Sequence, residues 1–224
     1  MQNITTEQST KASSERRRGY LFPLILVTSL FFFWGFVHNL DPVLIPHLRK
    51  AFQLTDLESS LVDFSIFIAY FLMAIPAGNV MRKYGYKSGI ILGLCLFAIG
   101  AFLFIPAANT QMYIFFLGAL FVIACGLAFL ETAANPYVTI LGPEETATRR
   151  LNFSQSFNGL AAFIAPIVGG KYILSEQSLT DAQLKALSPQ ELSAYIAQEA
   201  ASVKGPYLVL GIIIVIVMLL FVFT

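Results

Sequence analysis

Apolar residues in this chain fall in long unbroken runs, neither alternating like a half-buried strand nor forming the single stripe of a soluble helix. No Asp, Glu, Lys or Arg lies within Leu21 to Leu40, Phe64 to Met81, Leu151 to Gly170 or Gly205 to Thr224. The stretch from Ser88 to Pro143 is interrupted by Glu131 alone. A bilayer core of about 30 Å takes about 20 helical residues at 1.5 Å each, so four runs hold one crossing and the longest holds two. The polar cluster Pro106-Ala-Ala-Asn-Thr-Gln111 reads as the tight turn that divides it. The pattern predicts six helices over about 20–48, 58–81, 88–107, 112–140, 151–173 and 206–224. A loose cytoplasmic tail at 1–19 precedes them, and 174–204 is the one sizeable outer loop. Helices are expected because a backbone in lipid must satisfy its own hydrogen bonds. Barrel strands would alternate in polarity, which Gly211-Ile-Ile-Ile-Val-Ile-Val does not. The fold class is therefore an all-α, polytopic membrane protein.

Composition agrees and narrows the partners. Charged residues are 12% of the chain, against roughly 25% in soluble domains, so lipid is the solvent for most of it. A disordered chain, a disulfide-stapled secreted domain and a nucleic-acid binder are excluded. Orientation follows from the basic residues, which favour cytoplasmic segments. With the N-terminus inside, nine of the 14 lie inside: Lys11, Arg16, Arg17, Arg18, Arg82, Lys83, Lys87, Arg149 and Arg150. Arg49, Lys50, Lys171, Lys185 and Lys204 lie outside. Both termini are thus expected in the cytoplasm, the chain being a multi-pass protein of the inner (cytoplasmic) membrane. The Arg16–Arg18 triplet resembles a signal-peptide start, but the run behind it is too long and no A-x-A cleavage site precedes Asp41.

The loop at 174–204 carries Ser188-Pro-Gln-Glu191, a helix start with capping-box spacing. Leu184, Leu187, Leu192 and Ile196 give it an apolar face that either lies at the membrane interface or covers the outer ends of spans 5 and 6. Cys95 and Cys125 lie in different spans and read as small buried hydrophobes. His38 and His47 are separated by prolines without metal-ligand spacing. No GxGxxG, P-loop, HExxH or GxSxG occurs, so neither enzyme activity nor a cofactor or metal is expected. The chemistry must lie in polar groups held within the spans.

A charge at the bilayer centre costs roughly 2.5–3.5 kcal/mol, so such a residue normally faces a cavity or a partner. Glu131 is the strongest candidate, deep in a run of Leu, Phe, Ala and Gly, with Asn135 one turn on and Pro136 next. A carboxyl there can take up a proton and release it when access or a bound solute changes, which coupled transport requires. A permanently protonated Glu131 bonded to a neighbouring helix is the structural alternative. Asp41 follows Trp34 and His38 at i+7 and i+3, placing all three on one helical face, with Pro42 and Pro46 loosening the backbone beyond. It could instead cap a helix that ends early. Asp63 lies about a turn into the second span, in reach of interfacial water. Tyr70, seven residues further on, either extends the polar lining or packs as one more aromatic. Asn152, Gln155 and Asn158 recur at i+3 in the fifth span beside Gly159. Such amides suit a hydroxyl-rich ligand, and they also serve as interhelical glue worth about 0.6 kcal/mol each.

The residues carry a resemblance at this point. Glu131-Thr-Ala-Ala-Asn-Pro-Tyr-Val-Thr, Leu141-Gly-Pro-Glu and Arg150-Leu-Asn resemble the fucose permease branch of the major facilitator superfamily. Phe31-Phe-Phe-Trp34, Ile75-Pro-Ala-Gly78 and Tyr86-Lys-Ser-Gly89 support it, and the similarity runs from about Tyr20 to the end. The resemblance implies the N-terminal six-helix half of a twelve-helix sugar:proton symporter for fucose, galactose or glucose. It also implies that Glu131 is a central proton- and sugar-linked carboxyl with Gln155 and Asn158 near the sugar. The chain departs from the family where the first-span carboxylate falls: Pro42 stands there, and Asp41 matches a family Asn. One residue along a helix turns a side chain by about 100°. The segment Gly78-Asn-Val-Met-Arg82-Lys-Tyr-Gly85-Tyr-Lys87 resembles the superfamily's basic inner-loop motif without its acidic residue.

The expectation is therefore a hexose or deoxyhexose carrier coupled to protons, with spans 1, 4 and 5 lining the site. Glu131 and Asp41 are the proton-coupling candidates; Glu131, Gln155, Asn158, Asn135, His38 and Tyr70 are the substrate-binding ones. Its partners would be a monosaccharide, a proton, the lipid bilayer and a second six-helix half, since the chain stops at Thr224 inside an apolar run. A non-transporting scaffold, or a half-transporter needing a partner chain, is the alternative. A membrane-embedded enzyme would need a nucleophile–base or metal cluster, which the sequence does not offer.

Overall fold

The computed structural model describes the backbone of residues 2–52, 54–173, 179 and 181–224, with side chains from Tyr20 onward except at 50, 51, 181, 182 and 185. Every regular element among them is helical: α1 Gln2–His38, α2 Asp41–Phe52, α3 Asp56–Thr110, α4 Tyr113–Ile140, α5 Ala147–Tyr172, α6 Asp181–Ala186, α7 Pro189–Ser202 and α8 Lys204–Phe223, with a 3₁₀ turn at Glu144–Thr146. Among the described residues, four stretches are long and apolar enough to cross a membrane: Tyr20–Arg49, Asp56–Thr110, Tyr113–Ile140 and Pro189–Phe223. The second is 55 residues long, about 80 Å at 1.5 Å per residue and enough for two crossings. The expected fifth span, α5, has 26 residues, but its amide stripe keeps its hydropathy below that of the others.

Several helix ends differ from expectation for local reasons. The first expected span divides at Asn39-Leu40, where Asn39 Nδ2 turns back to the carbonyl of Gly35 at 2.7 Å. A new helix then starts with Asp41, a carboxylate suited to a helix N-terminus, and Pro42, whose missing N–H costs nothing in the first turn. Asp41 therefore does not continue the helical face of Trp34 and His38. Expected spans 2 and 3 run on through one kink at Gly85, whose φ of 84° and ψ of 168° suit a residue without a Cβ. The turn expected over 106–111 shrinks to Gln111 and Met112, because α3 continues through Pro106 until Gln111 adopts φ 54°. At the other end, α1 begins at Gln2, so the backbone of the expected tail is helical. Capping boxes start two helices: Thr55 with Glu58 opens α3, and Ser188 with Glu191 opens α7.

The core forms where α3 lies along α4, with α8 behind α3 and α5 against α1. Phe31, Leu44, Phe97, Phe104, Phe116 and Ile214 are buried completely or nearly so. Small residues let α3 and α4 approach closely: a Cβ on Gly126 would stand 2.6 Å from the carbonyl oxygen of Gly93 and from the amide nitrogen of Phe97. On the other side, Phe67, Phe71 and Ile75 expose 67%, 75% and 75% of their surface. A stripe of that size needs lipid or another helix against it.

Arg150, expected as one of the inner positive charges, is buried at 7% exposure. Its guanidinium donates to the carbonyls of Val138 at 3.2 Å, Thr139 at 2.7 Å and Pro143 at 2.7 Å. It thereby closes the C-terminus of α4, where a cation is favoured by the helix dipole. Arg150→Ala would orphan these carbonyls, and a loss of about 2–4 kcal/mol is expected. Thermal unfolding in detergent reads it; an unchanged midpoint would refute the clamp.

Candidate functional site

A cavity of about 400 Å³ lies between α3 and α4, lined by Tyr70, Ala74, Ala128, Glu131, Thr132 and Asn135. The helix itself explains its polar wall. Pro136 has no N–H to give the carbonyl of Thr132, and the Asn135 side chain bonds the carbonyl of Glu131 at 3.0 Å. Gln155 on α5 donates Nε2 to Asn135 Oδ1 at 3.0 Å, tying the fifth helix to this wall. Glu131 itself is half-buried. The buried Tyr70 hydroxyl interacts with the Glu131 carboxyl and the Trp34 indole, yet neither Tyr70 Oη nor Trp34 Nε1 closes a hydrogen bond of full geometry. Two buried donors beside a carboxyl are the groups a hydroxyl-bearing solute would satisfy.

The remaining candidates are distributed around that wall. His38 sits beside Tyr70, ring centroids 6.0 Å apart, with its side chain exposed. Asn158 faces α1 instead of the cavity: a Cβ on Gly35 would lie 2.5 Å from its Oδ1, so glycine is what permits this close crossing. Asp41, half-buried at the start of α2, does not line the cavity but acts electrostatically on Tyr70. It also interacts with Asp63, which is exposed. Tyr207 on α8 lies within the field of Asp41; its ring stacks on Phe104 at 3.6 Å, and its buried hydroxyl has no hydrogen-bond partner among the described residues. No group of His, Cys, Asp and Glu suited to a metal ion occurs among the described residues.

A larger cavity of about 460 Å³, bounded by Phe32, Phe36, Val168, Tyr172 and Ile213, has almost wholly apolar walls. It offers little to a polar solute. Two buried polar contacts escaped the sequence reading. Thr28 and Ser154 pair their hydroxyls at 2.9 Å between α1 and α5. His47 meets Glu199 between α2 and α7. Small hydroxyls in apolar runs were the available signal for the first pair. Nothing local marks the second, whose members are 152 residues apart.

Membrane-length helices, two of them with a carboxyl-bearing polar cavity between them, define a multi-pass membrane protein. The chain belongs to the Major Facilitator Superfamily, whose family model matches residues 24–224. It is 45% identical over 208 residues to the L-fucose-proton symporter of Escherichia coli K12, covering 92% of this chain and 48% of that protein. With a glucose/galactose transporter of Brucella abortus it shares 43% identity over 219 residues, 98% of this chain and 50% of the relative. Among solved structures, a variant of the E. coli fucose:proton symporter superposes with a TM-score of 0.80 at 43% identity, covering 92% of this chain and 49% of that one. A facilitator superfamily transporter in the outward conformation gives 0.81 at 45%, covering 92% and 50%. The chain thus spans about half the length of the curated relatives it matches.

Proposed function

We propose that this chain is the N-terminal half of a sugar:proton symporter that moves a hexose or deoxyhexose such as fucose, galactose or glucose. The observation that carries this reading is Glu131 on the wall of the polar cavity, with Tyr70 opposite and Asn135 bridged to Gln155. The amides and the Tyr70 hydroxyl offer donors and acceptors to sugar hydroxyls. Glu131 holds the proton, and its carboxyl is the group whose charge changes as sugar and proton come and go together. Asp41 is the second proton-linked carboxyl, felt at the same tyrosine. His38 reaches the sugar from beside Tyr70, whereas Asn158 is held at the α1–α5 crossing against Gly35 and joins the two helices. A second half of similar length completes the site, since the relatives are about twice as long. The carrier lies in the inner membrane with both ends of this chain in the cytoplasm, the side that holds the greater share of its basic residues.

Uptake of radiolabelled fucose, galactose and glucose into proteoliposomes tests the proposal on the transporter that carries this chain. Inward accumulation of at least one sugar under an imposed proton gradient, absent without it, is the expected result. No gradient-dependent accumulation of any of them would end the reading and favour a non-transporting scaffold. Tyr70→Phe removes one hydroxyl from the wall facing Glu131; a hydrogen bond between neutral groups contributes about 0.5–1.5 kcal/mol, so half-saturation should rise roughly two- to tenfold. An unchanged sugar dependence would take Tyr70 out of the site.

A further inference from the structure

A buried histidine–carboxyl contact lies away from the cavity and takes no part in the function proposed above. His47 in α2 and Glu199 in α7 are 5% and 3% exposed. Nδ1 of His47 stands 3.2 Å from Glu199 Oε2, and Nε2 stands 3.1 Å from the carbonyl oxygen of the same residue. Ser202 Oγ lies 3.2 Å from Nε2 and bonds onward to the carbonyl of Ile173, at the end of α5, at 3.1 Å. Tyr195, one turn before Glu199, interacts with the same carboxyl. Both ring nitrogens are thus engaged by one turn of α7. Burying such groups is costly unless they are mutually satisfied, so the pair acts as a specific attachment rather than as general adhesion.

What it attaches is α2. That helix is separated from α1 by the two-residue turn at Asn39-Leu40, about which it could pivot. The exposed Arg49–Asp56 pair, with side chains 52% and 86% accessible, holds it weakly. His47 lies six helical steps, about 9 Å, beyond Asp41. Both sit on the one helix α2, with Leu44 fully buried between them. On the far side of the contact, α7 passes directly into α8 through Val203. One continuous stretch of chain therefore carries the grip on α2 at His47.

We propose that His47 is a positioning residue: by clamping α7 onto α2 it fixes the helix that begins with Asp41 and so sets where that carboxyl stands. Its effect on transport rests on the reading of Asp41 as proton-linked; its effect on α2 does not. Two variants and two readouts separate these. His47→Phe with Glu199→Leu replaces the polar pair by apolar groups of similar bulk and keeps the interface filled, while His47→Gln retains an amide donor toward Glu199.

In the double variant, backbone amide exchange over residues 41–45 should quicken about tenfold or more, with a smaller change for His47→Gln. Gradient-driven sugar accumulation should fall by a similar factor while gradient-free sugar exchange persists, and His47→Gln should restore most of the accumulation. Faster exchange in 189–202 with 41–45 unchanged would overturn the clamp, because α7 would then be held without holding α2. A parallel loss of accumulation and gradient-free exchange would also overturn it, as general damage. If Asp41→Asn leaves accumulation intact, the proton role of Asp41 fails, and amide exchange over 41–45 alone decides the clamp.

Discussion

Replacing Glu131 by Gln is expected to reduce gradient-driven sugar accumulation to that of protein-free liposomes while leaving exchange of sugar between equal concentrations in place. Gln keeps the shape of the side chain and can still donate to and accept from a sugar hydroxyl, but it cannot give up or regain a proton at neutral pH. The surrounding wall should stay as it is, because the Asn135 side chain bonds the backbone carbonyl of Glu131, not its carboxyl, and Gln155 bonds Asn135. The substitution therefore separates proton movement from sugar movement. Accumulation at the level of the unaltered protein would remove Glu131 from the coupling, and a loss of both activities would mark it as a group needed for binding or folding.

The second large effect concerns the frame that carries Glu131. Gly126→Val should destabilise the bundle by about 3 kcal/mol, the upper part of the range for overpacking a close-packed site. The atoms a Cβ would meet at 2.6 Å are the Gly93 carbonyl oxygen and the Phe97 amide nitrogen, both backbone, so no side chain can swing away to make room. The two helices must part, and the cavity between them should change with them. Gly118→Ala in the same helix is the control: its new Cβ has nothing within 4 Å, and Ala is favoured over Gly in a helix by about 1 kcal/mol. Thermal unfolding in detergent should show Val at 126 strongly lowered and Ala at 118 level or raised. A similar response at both positions would mean that the crossing is looser than the structure shows.

Much of the architecture was readable because a lipid solvent leaves a chain few options. Runs without charge must be helices, and a lone carboxyl such as Glu131 in one of them must face something polar. The amide stripe at Asn152, Gln155 and Asn158 was equally visible, yet its members part company in the folded chain. Gln155 reaches the cavity wall through Asn135, while Asn158 is turned to the crossing at Gly35. Spacing along one helix specifies a face, and which neighbour that face meets depends on the other helices. Asp41 shows the same limit more sharply. The helical spacing from Trp34 and His38 would have placed it on their face, but the break at Asn39-Leu40 starts a new axis and makes Asp41 a first-turn residue of α2.

Arg150 and His47 were read by type, the first as an inner positive charge and the second as a histidine without metal spacing. Each has its partners elsewhere: Arg150 on the carbonyls ending α4, and His47 on a helix 152 residues away. The pattern of charge and hydrophobicity alone determined that the chain is a helical membrane bundle with Glu131 as an intramembrane acid, because burying charge in hydrocarbon is penalised whatever the neighbours are. Only the tertiary structure decided which polar groups face one another, where α1 gives way to α2, and how closely α3 and α4 approach. Those outcomes depend on contacts between residues far apart in the chain, and local composition carries no record of them.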